Sequence, residues 1–281
     1  MSEARHYESF ELFHLSPAVG TEVHGIDLAS VDRTTADWLN DLLVERKVLF
    51  FRDHDITPEQ HIAFAKLFGE LEVHPFTENN STHPEIMHLN NDRDNPPYIN
   101  IWHSDVTWRE EPSLGSILRG RVVPEVGGDT LFANMEAAYE GLDDETKELI
   151  EPLYAVHDNQ GFLNNMRAKG ASEEEVEAKS KEFPPQRHPV VRTHPVSGKK
   201  SLYVNKIFTR GIEGMEREAS IALCNKLFQQ AWIPDYQCRF RWRENSFAFW
   251  DNRAVQHYAA ADYWPHIRKM ERVTIIGDRP R

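Results

Sequence analysis

The sequence predicts one mostly β domain with flanking helices (α+β), folded as a double-stranded β-helix, or jelly roll. Two observations carry this. Many short strand-like runs punctuated by turn residues are separated by only a few helical patterns. The 281 residues show no repeat, no low-complexity segment and no composition shift that would mark a second domain. β-rich barrels reach this size as single units, so one domain over 1–281 is expected. A jelly roll encloses a pocket between its sheets, where side chains from distant strands can meet.

Each element has its own signal. Residues 10–28 read as two short strands with a turn, around Gly20 and Gly25, with Val23, Ile26 and Leu28 heading inward. A helix follows, capped by Thr34 or Thr35, with Trp38, Leu39, Leu42 and Leu43 as its apolar stripe. Val48, Leu49, Phe50 and Phe51 form an unbroken apolar run, which predicts a strand covered on both faces. Thr57-Pro58-Glu59-Gln60 starts a second helix: Thr57 caps, Pro58 fits the first turn and Gln60 completes a capping box. Gly69 is the expected C-cap. Residues 74–100 lack periodicity and carry six asparagines and Pro96-Pro97. A long unpatterned stretch is expected to be a functional loop, here a lid-like one, or a solvated linker.

Residues 116–123 and 129–133 read as strands across a Gly127-Gly128 turn, followed by helices over 135–139 and 143–153. The Asp143-Asp144 start puts negative charge where the helix dipole favours it. Residues 171–183 are acidic with no apolar stripe, a solvated helix within a helical insertion at about 164–186. Residues 188–194 and 201–205 read as a hairpin. An amphipathic helix over 215–232 groups Ile221, Cys224, Leu227 and Phe228. Residues 238–242 and 247–250 read as a second hairpin around Glu244-Asn245, and 272–276 as the last strand.

Composition excludes some functions. A hydrophobic fraction of 40% and a charged fraction of 27% are those of an ordinary soluble protein. A formal net charge of −13 argues against nucleic acid and against anionic membrane surfaces. No run is long enough to span a bilayer, and Met1-Ser2-Glu3-Ala4-Arg5 leads into no apolar signal region. The two cysteines, Cys224 and Cys238, read as buried fillers in a reducing compartment, so a cytoplasmic address is expected.

The chemistry centres on Trp102-His103-Ser104-Asp105 and, far downstream, Gln256-His257-Tyr258. In a strand His103 and Asp105 point the same way, so an imidazole and a carboxylate can hold one ion. His257 would complete a triad of two His and one carboxylate, which leaves positions open as non-haem Fe(II) oxygen chemistry requires. The plain alternative is a surface polar pair. Arg268 and Arg272, spaced i, i+4, share a face in a helix or in a strand. Two guanidiniums in a cavity would bind two oxyanions, and on the surface they would form salt bridges.

Four segments resemble the taurine dioxygenase (TauD/TfdA) family of Fe(II)- and 2-oxoglutarate-dependent oxygenases: 102–108, 127–131, 188–198 and 250–259, with the closing Ile276-Gly277-Asp278-Arg279-Pro280. The likeness runs from about Leu15 to Pro280. It implies that His103, Asp105 and His257 ligate iron and that Thr130 and Arg268 hold the distal carboxylate of 2-oxoglutarate. Trp250 would pack beside the cosubstrate. Arg272, partnered by His74, would bind the anionic head of a small substrate. Val106, Phe162 (or Leu163) and Phe208 would line an apolar pocket. The implied reaction consumes O2, gives succinate and CO2, and hydroxylates the substrate. On a sulfonate such as taurine it would release sulfite and an aldehyde. Asp105 favours hydroxylation, because related halogenases lack that carboxylate. A homodimer or homotetramer is also implied.

The lid departs from the taurine pattern. Thr77 stands where a sulfonate-holding Tyr is expected, and Ile99 where an Asn would meet the amine. An ammonium beside Ile99 lacks a hydrogen-bond partner. A less polar sulfonate, an alkyl sulfate or a carboxylate therefore competes with taurine. Two rivals remain: a zinc hydrolase using the same ligands, which has no need of Thr130 and Arg268, and a non-catalytic anion-binding jelly roll.

Overall fold

In a computed structural model of the chain, residues 10–76 and 82–281 are described. A seven-stranded sheet runs in the order Glu11–His14, Thr21–His24, Val48–Phe51, Phe247–Asp251, Ser113–Val122, Arg268–Ile276 and Ile86–Asn91. Gln237–Phe240, Thr130–Asn134 and Val255–Ala259 form a three-stranded sheet, with Thr130–Asn134 in the middle. One buried cluster joins the two sheets, drawing Phe50, Leu118, Trp250 and Met270 from the first and Phe132, Phe240 and Val255 from the second. This is the jelly-roll interior.

Alternation of side chains along a strand gives the large sheet its second face. Trp250 and Ala248 point into the roll, while Phe247 and Phe249 join a cluster with Leu39, Leu42, Leu43, Ile62 and Phe64 from the helices Arg33–Arg46 and Pro58–Lys66. On Arg268–Ile276 the same parity sends Met270 inward and Val273 and Ile275 outward. Arg268 and Arg272 share the parity of Met270, so both face the interior.

Several expectations are corrected. The supposed hairpin 238–242/247–250 does not exist: Phe240 pairs with Thr130 in the small sheet, and Phe247 pairs with Phe51 and Arg119 in the large one. Each run has a distant partner, and the turn at Asn245 (φ 58°) crosses between sheets. The 74–100 stretch is not all loop, since Ile86–Asn91 is an edge strand paired with 268–273. Its mixed burial leaves no period to read. Asp32 caps the first helix, accepting the Thr35 N–H at 2.8 Å, and the second helix ends at Lys66 with Leu67, not Gly69, as its C-cap. The last strand begins at Arg268, and 188–194 breaks into Gln186–Pro189 and Val191–Thr193. The insertion is two helices, Gln160–Ala168 and Glu173–Glu182. Strands Tyr154–His157 and Thr209–Ile212 carried no strong signal. Among the described residues no helix is long and apolar enough to cross a membrane.

Candidate metal and anion site

His103 and His257 meet through an isolated antiparallel bridge, with N···O distances of 3.1 and 2.8 Å between their backbones. His257 sits mid-strand, paired on its other side with Phe132. The two imidazole centroids lie 4.2 Å apart. Asp105 Oδ1 is 3.6 Å from His103 Nε2 and 3.9 Å from His257 Nε2. All three residues are buried, and one ligand atom from each lies within 4.8 Å of the others.

Their supports are specific. His103 Nδ1 is 2.7 Å from the Ile101 carbonyl, an acceptor that fixes the N–H there and leaves the Nε2 lone pair facing the site. Asn252 clamps Asp105 from both sides: its Oδ1 accepts the Asp105 N–H (2.7 Å) and its Nδ2 donates to the Asp105 carbonyl (2.9 Å). Val106, the next residue, has φ 47°, an outlier for a β-branched side chain and a mark of backbone held for function.

Arg272 donates from Nη1 to Asp105 Oδ2 at 2.9 Å, and Ser116 Oγ donates to the same oxygen at 3.3 Å. Arg268 lies farther along the strand. Its Nε donates to the Gly128 carbonyl (3.2 Å), and one Nη is buried without a partner. The Gly127-Gly128 turn needs glycine, because both have positive φ and a Cβ on Gly128 would lie 3.2 Å from Arg268 Cδ. Trp242 links Arg268 to Thr130: its Nε1 donates to Thr130 Oγ1 (2.9 Å), and the guanidinium carbon of Arg268 lies 5.9 Å from its ring. Thr130 thus keeps its hydroxyl proton to donate. Trp250 packs its ring 4.8 Å from the His257 ring.

His74 is buried where the polar site meets an aromatic wall. Phe162 stacks on Phe76 (5.2 Å, 9°) and Phe208 (6.1 Å, 22°), and His74 lies 5.4 Å from Phe162. Val106, Trp108 and Phe208 form the buried part of this cluster. Leu163 is buried in the next position, and Ile99 is partly buried. Thr77 lies outside the described residues. Sequence reading missed Asn252, Trp242 and the Arg109–Glu72 ion pair (2.5 Å) beneath Trp108. Asn252 lies inside a quoted motif, but its amide has no chemical signature in sequence.

Electrostatics suit a cation. Burial, and then the His103 imidazole, push His257 down to about 3, and burial lowers His103 against the pull of Asp105. Both present neutral lone pairs at neutral pH, the form a metal requires. Burial pushes the Asp105 carboxyl up, but Arg272, His257 and His103 together hold it well below the usual carboxylate range. His74 is also pushed to about 3, by burial and then by Arg272.

Two neutral imidazoles and an ionised carboxylate, leaving half of a coordination sphere open, suit non-haem Fe(II) oxygen chemistry. The unpartnered nitrogen of Arg268 fits a carboxylate deeper in the same roll. This fold and site define the class of 2-oxoglutarate-dependent dioxygenases. Residues 11–274 match the family model "Taurine catabolism dioxygenase TauD, TfdA family", and the chain belongs to that family. It is 36% identical to the alkylsulfatase of Acinetobacter baylyi, over 96% of this chain and 86% of that one. It is 34% identical to the alpha-ketoglutarate-dependent sulfate ester dioxygenase of Pseudomonas putida, over 100% and 94%. The crystal structure of a taurine dioxygenase from Burkholderia xenovorans has a TM-score of 0.83 at 33% identity, covering 97% of this chain and 91% of that one. The protein is an Fe(II)- and 2-oxoglutarate-dependent dioxygenase that uses O2 on a small molecule.

Proposed function

We propose that this dioxygenase oxidises organic sulfur monoanions with an apolar tail, alkyl sulfate esters and less polar sulfonates, in preference to taurine. The observation that carries this is one guanidinium, Arg272, on Asp105, whose neighbour Val106 belongs to an apolar wall with Trp108, Phe162 and Phe208. The relatives named for sulfate esters add support. Arg272 holds the anionic head with His74 at its side, and the tail lies along the aromatic wall, with Ile99 at its outer end. His103, Asp105 and His257 hold Fe(II). Thr130 and Arg268 hold the distal carboxylate of 2-oxoglutarate, and Trp250 keeps the His257 ring in place.

With O2, the iron and 2-oxoglutarate together supply the oxidant, with succinate and CO2 as coproducts. The residues decide where it acts. Arg272 anchors the sulfur group, so the carbon that bears it comes nearest the metal. Hydroxylation there gives a hemiacetal-like sulfate or an α-hydroxy sulfonate. These collapse to an aldehyde with release of sulfate or sulfite. The side chains of Val106, Trp108, Phe162 and Phe208 offer no hydrogen-bond acceptor to an ammonium, which disfavours taurine.

An anaerobic Fe(II)–2-oxoglutarate complex, titrated with hexyl sulfate, hexanesulfonate, an aryloxyalkanoate and taurine, tests this. Hexyl sulfate is expected to shift the metal-to-ligand charge-transfer band at the lowest concentration. A taurine response at lower concentration would overturn the preference. The reading extends to a cytoplasmic homodimer or homotetramer, supported by the unpaired buried thiols of Cys224 and Cys238 and by the family likeness. Light scattering checks the assembly.

A further inference from the structure

We infer that the metal ion and the substrate's anionic head bind cooperatively, because both draw on one buried ion pair, Asp105–Arg272. The inference rests on the reading of Arg272 as the anion grip. The two oxygens of Asp105 face different ways. Oδ1 looks toward His103 Nε2 and His257 Nε2, at 3.6 and 3.9 Å. Oδ2 is held by Arg272 at 2.9 Å. Arg272 Nε is buried without a partner, and one Nη has only the Met87 thioether at 3.4 Å. Among the described residues, Asp105 is the one carboxylate in contact with it; Glu72 acts on it at longer range and is itself paired with Arg109.

Buried charges are stable only when compensated. The single charge of Asp105 compensates Arg272 through Oδ2. A divalent ion on Oδ1 draws on that same charge and repels the guanidinium. Arg272 then needs another anion, and the substrate supplies it. Conversely, an anion on Arg272 returns the full charge of Asp105 to the metal. The two effects have one sign, and linkage makes them equal in size. Ser116 and the Asn252 clamp hold Asp105 in place throughout, so the coupling needs no large movement.

The test uses no turnover. The full-length protein is stripped with chelator or loaded with Mn(II), and hexyl sulfate binding is measured by calorimetry without 2-oxoglutarate. Mn(II) is expected to tighten hexyl sulfate by about tenfold. Stripped Asp105→Asn, which has lost the internal competitor, is expected to bind hexyl sulfate about tenfold tighter than stripped wild type. Direct attraction between metal and anion cannot produce that gain, and equal or weaker binding by the variant overturns the inference. Arg272→Gln supplies a second arm, which stands even if Asp105→Asn does not fold. Freed of its competitor, Asp105 is expected to bind Mn(II) about tenfold tighter, whereas a merely positioning arginine would weaken the metal on removal and overturn the inference. Should hexyl sulfate bind to no form, the substrate reading fails instead, and the Mn(II) titration of Arg272→Gln still decides the coupling.

Discussion

Two arginines four positions apart share a strand face, and on the proposed reading they serve different anions. Arg272 touches the metal-side carboxylate, while Arg268 lies beside Thr130 and Trp242 with an unpartnered nitrogen. Truncating one partner of a buried, charge-assisted contact costs roughly 2–5 kcal/mol. Arg272→Gln is therefore expected to raise the substrate KM by about 100-fold while leaving the 2-oxoglutarate KM within about twofold. Arg268→Gln should reverse the pattern. Steady-state kinetics in both substrates check this, and equal effects on both constants would refute the division. Asn252 supplies a second residue-scale expectation. It touches no ligand atom of the metal, yet it fixes the backbone of Asp105 through two hydrogen bonds. Asn252→Ala should weaken Mn(II) binding by about 10–100-fold, as loss of such supporting contacts does, and an unchanged Mn(II) Kd would contradict it. The ionisable residues that the fold brings together, His103, Asp105 and His257, were legible in sequence because their chemistry is distinctive. Asn252 and Trp242 were not, because an amide and an indole acquire a role only from what the fold places beside them.

Elements decide what the pocket accepts. The helix Gln160–Ala168 brings Phe162 between Phe76 and Phe208, completing the aromatic wall beside His74. Phe162→Ala should open room along the tail. The ratio of kcat/KM for decyl over hexyl sulfate is then expected to rise about tenfold, the scale on which apolar pockets discriminate chain length. A ratio unmoved by the substitution would take Phe162 out of the tail's path. Strands buried on both faces, such as Val48–Phe51, announced themselves as apolar runs. The capped helix at Thr57 was equally plain, with its capping box formed as expected. The edge strand Ile86–Asn91 was hidden because one side has no neighbour and its burial follows no period. The false hairpin at 238–250 arose because local turn chemistry cannot reveal that each flanking strand belongs to a different sheet.

At the scale of the molecule, the roll holds a set of neutral buried histidines, and their protons set its acid stability. Burial drives His61, His74 and His257 to about 3 and His188 to about 4, against about 6.5 in an unfolded chain. Between these limits the unfolded chain binds more protons than the folded one, so stability falls as pH falls from 6.5. A drop from pH 6.5 to 5 removes on the order of 1–2 kcal/mol for each such histidine, several kcal/mol for the four together. That is comparable to the whole stability of many domains. The depressed carboxyl of Asp105 does not enter this window, because its stabilisation is lost only as pH falls below its unfolded value of 3.8. Glu72, raised by burial, opposes the trend in part. Urea unfolding of the chelator-treated protein at intervals between pH 7 and 5 is expected to show this steep loss. His61→Leu lies on the helix-covered face of the large sheet, against Phe247 and away from the metal triad. It should flatten the slope by about one proton and leave Mn(II) affinity unchanged. Unfolding free energies that stay level from pH 7 to 5 would mean that these imidazoles are not held neutral, and with that the electrostatic case for a site prepared for a metal ion at His257 would fail.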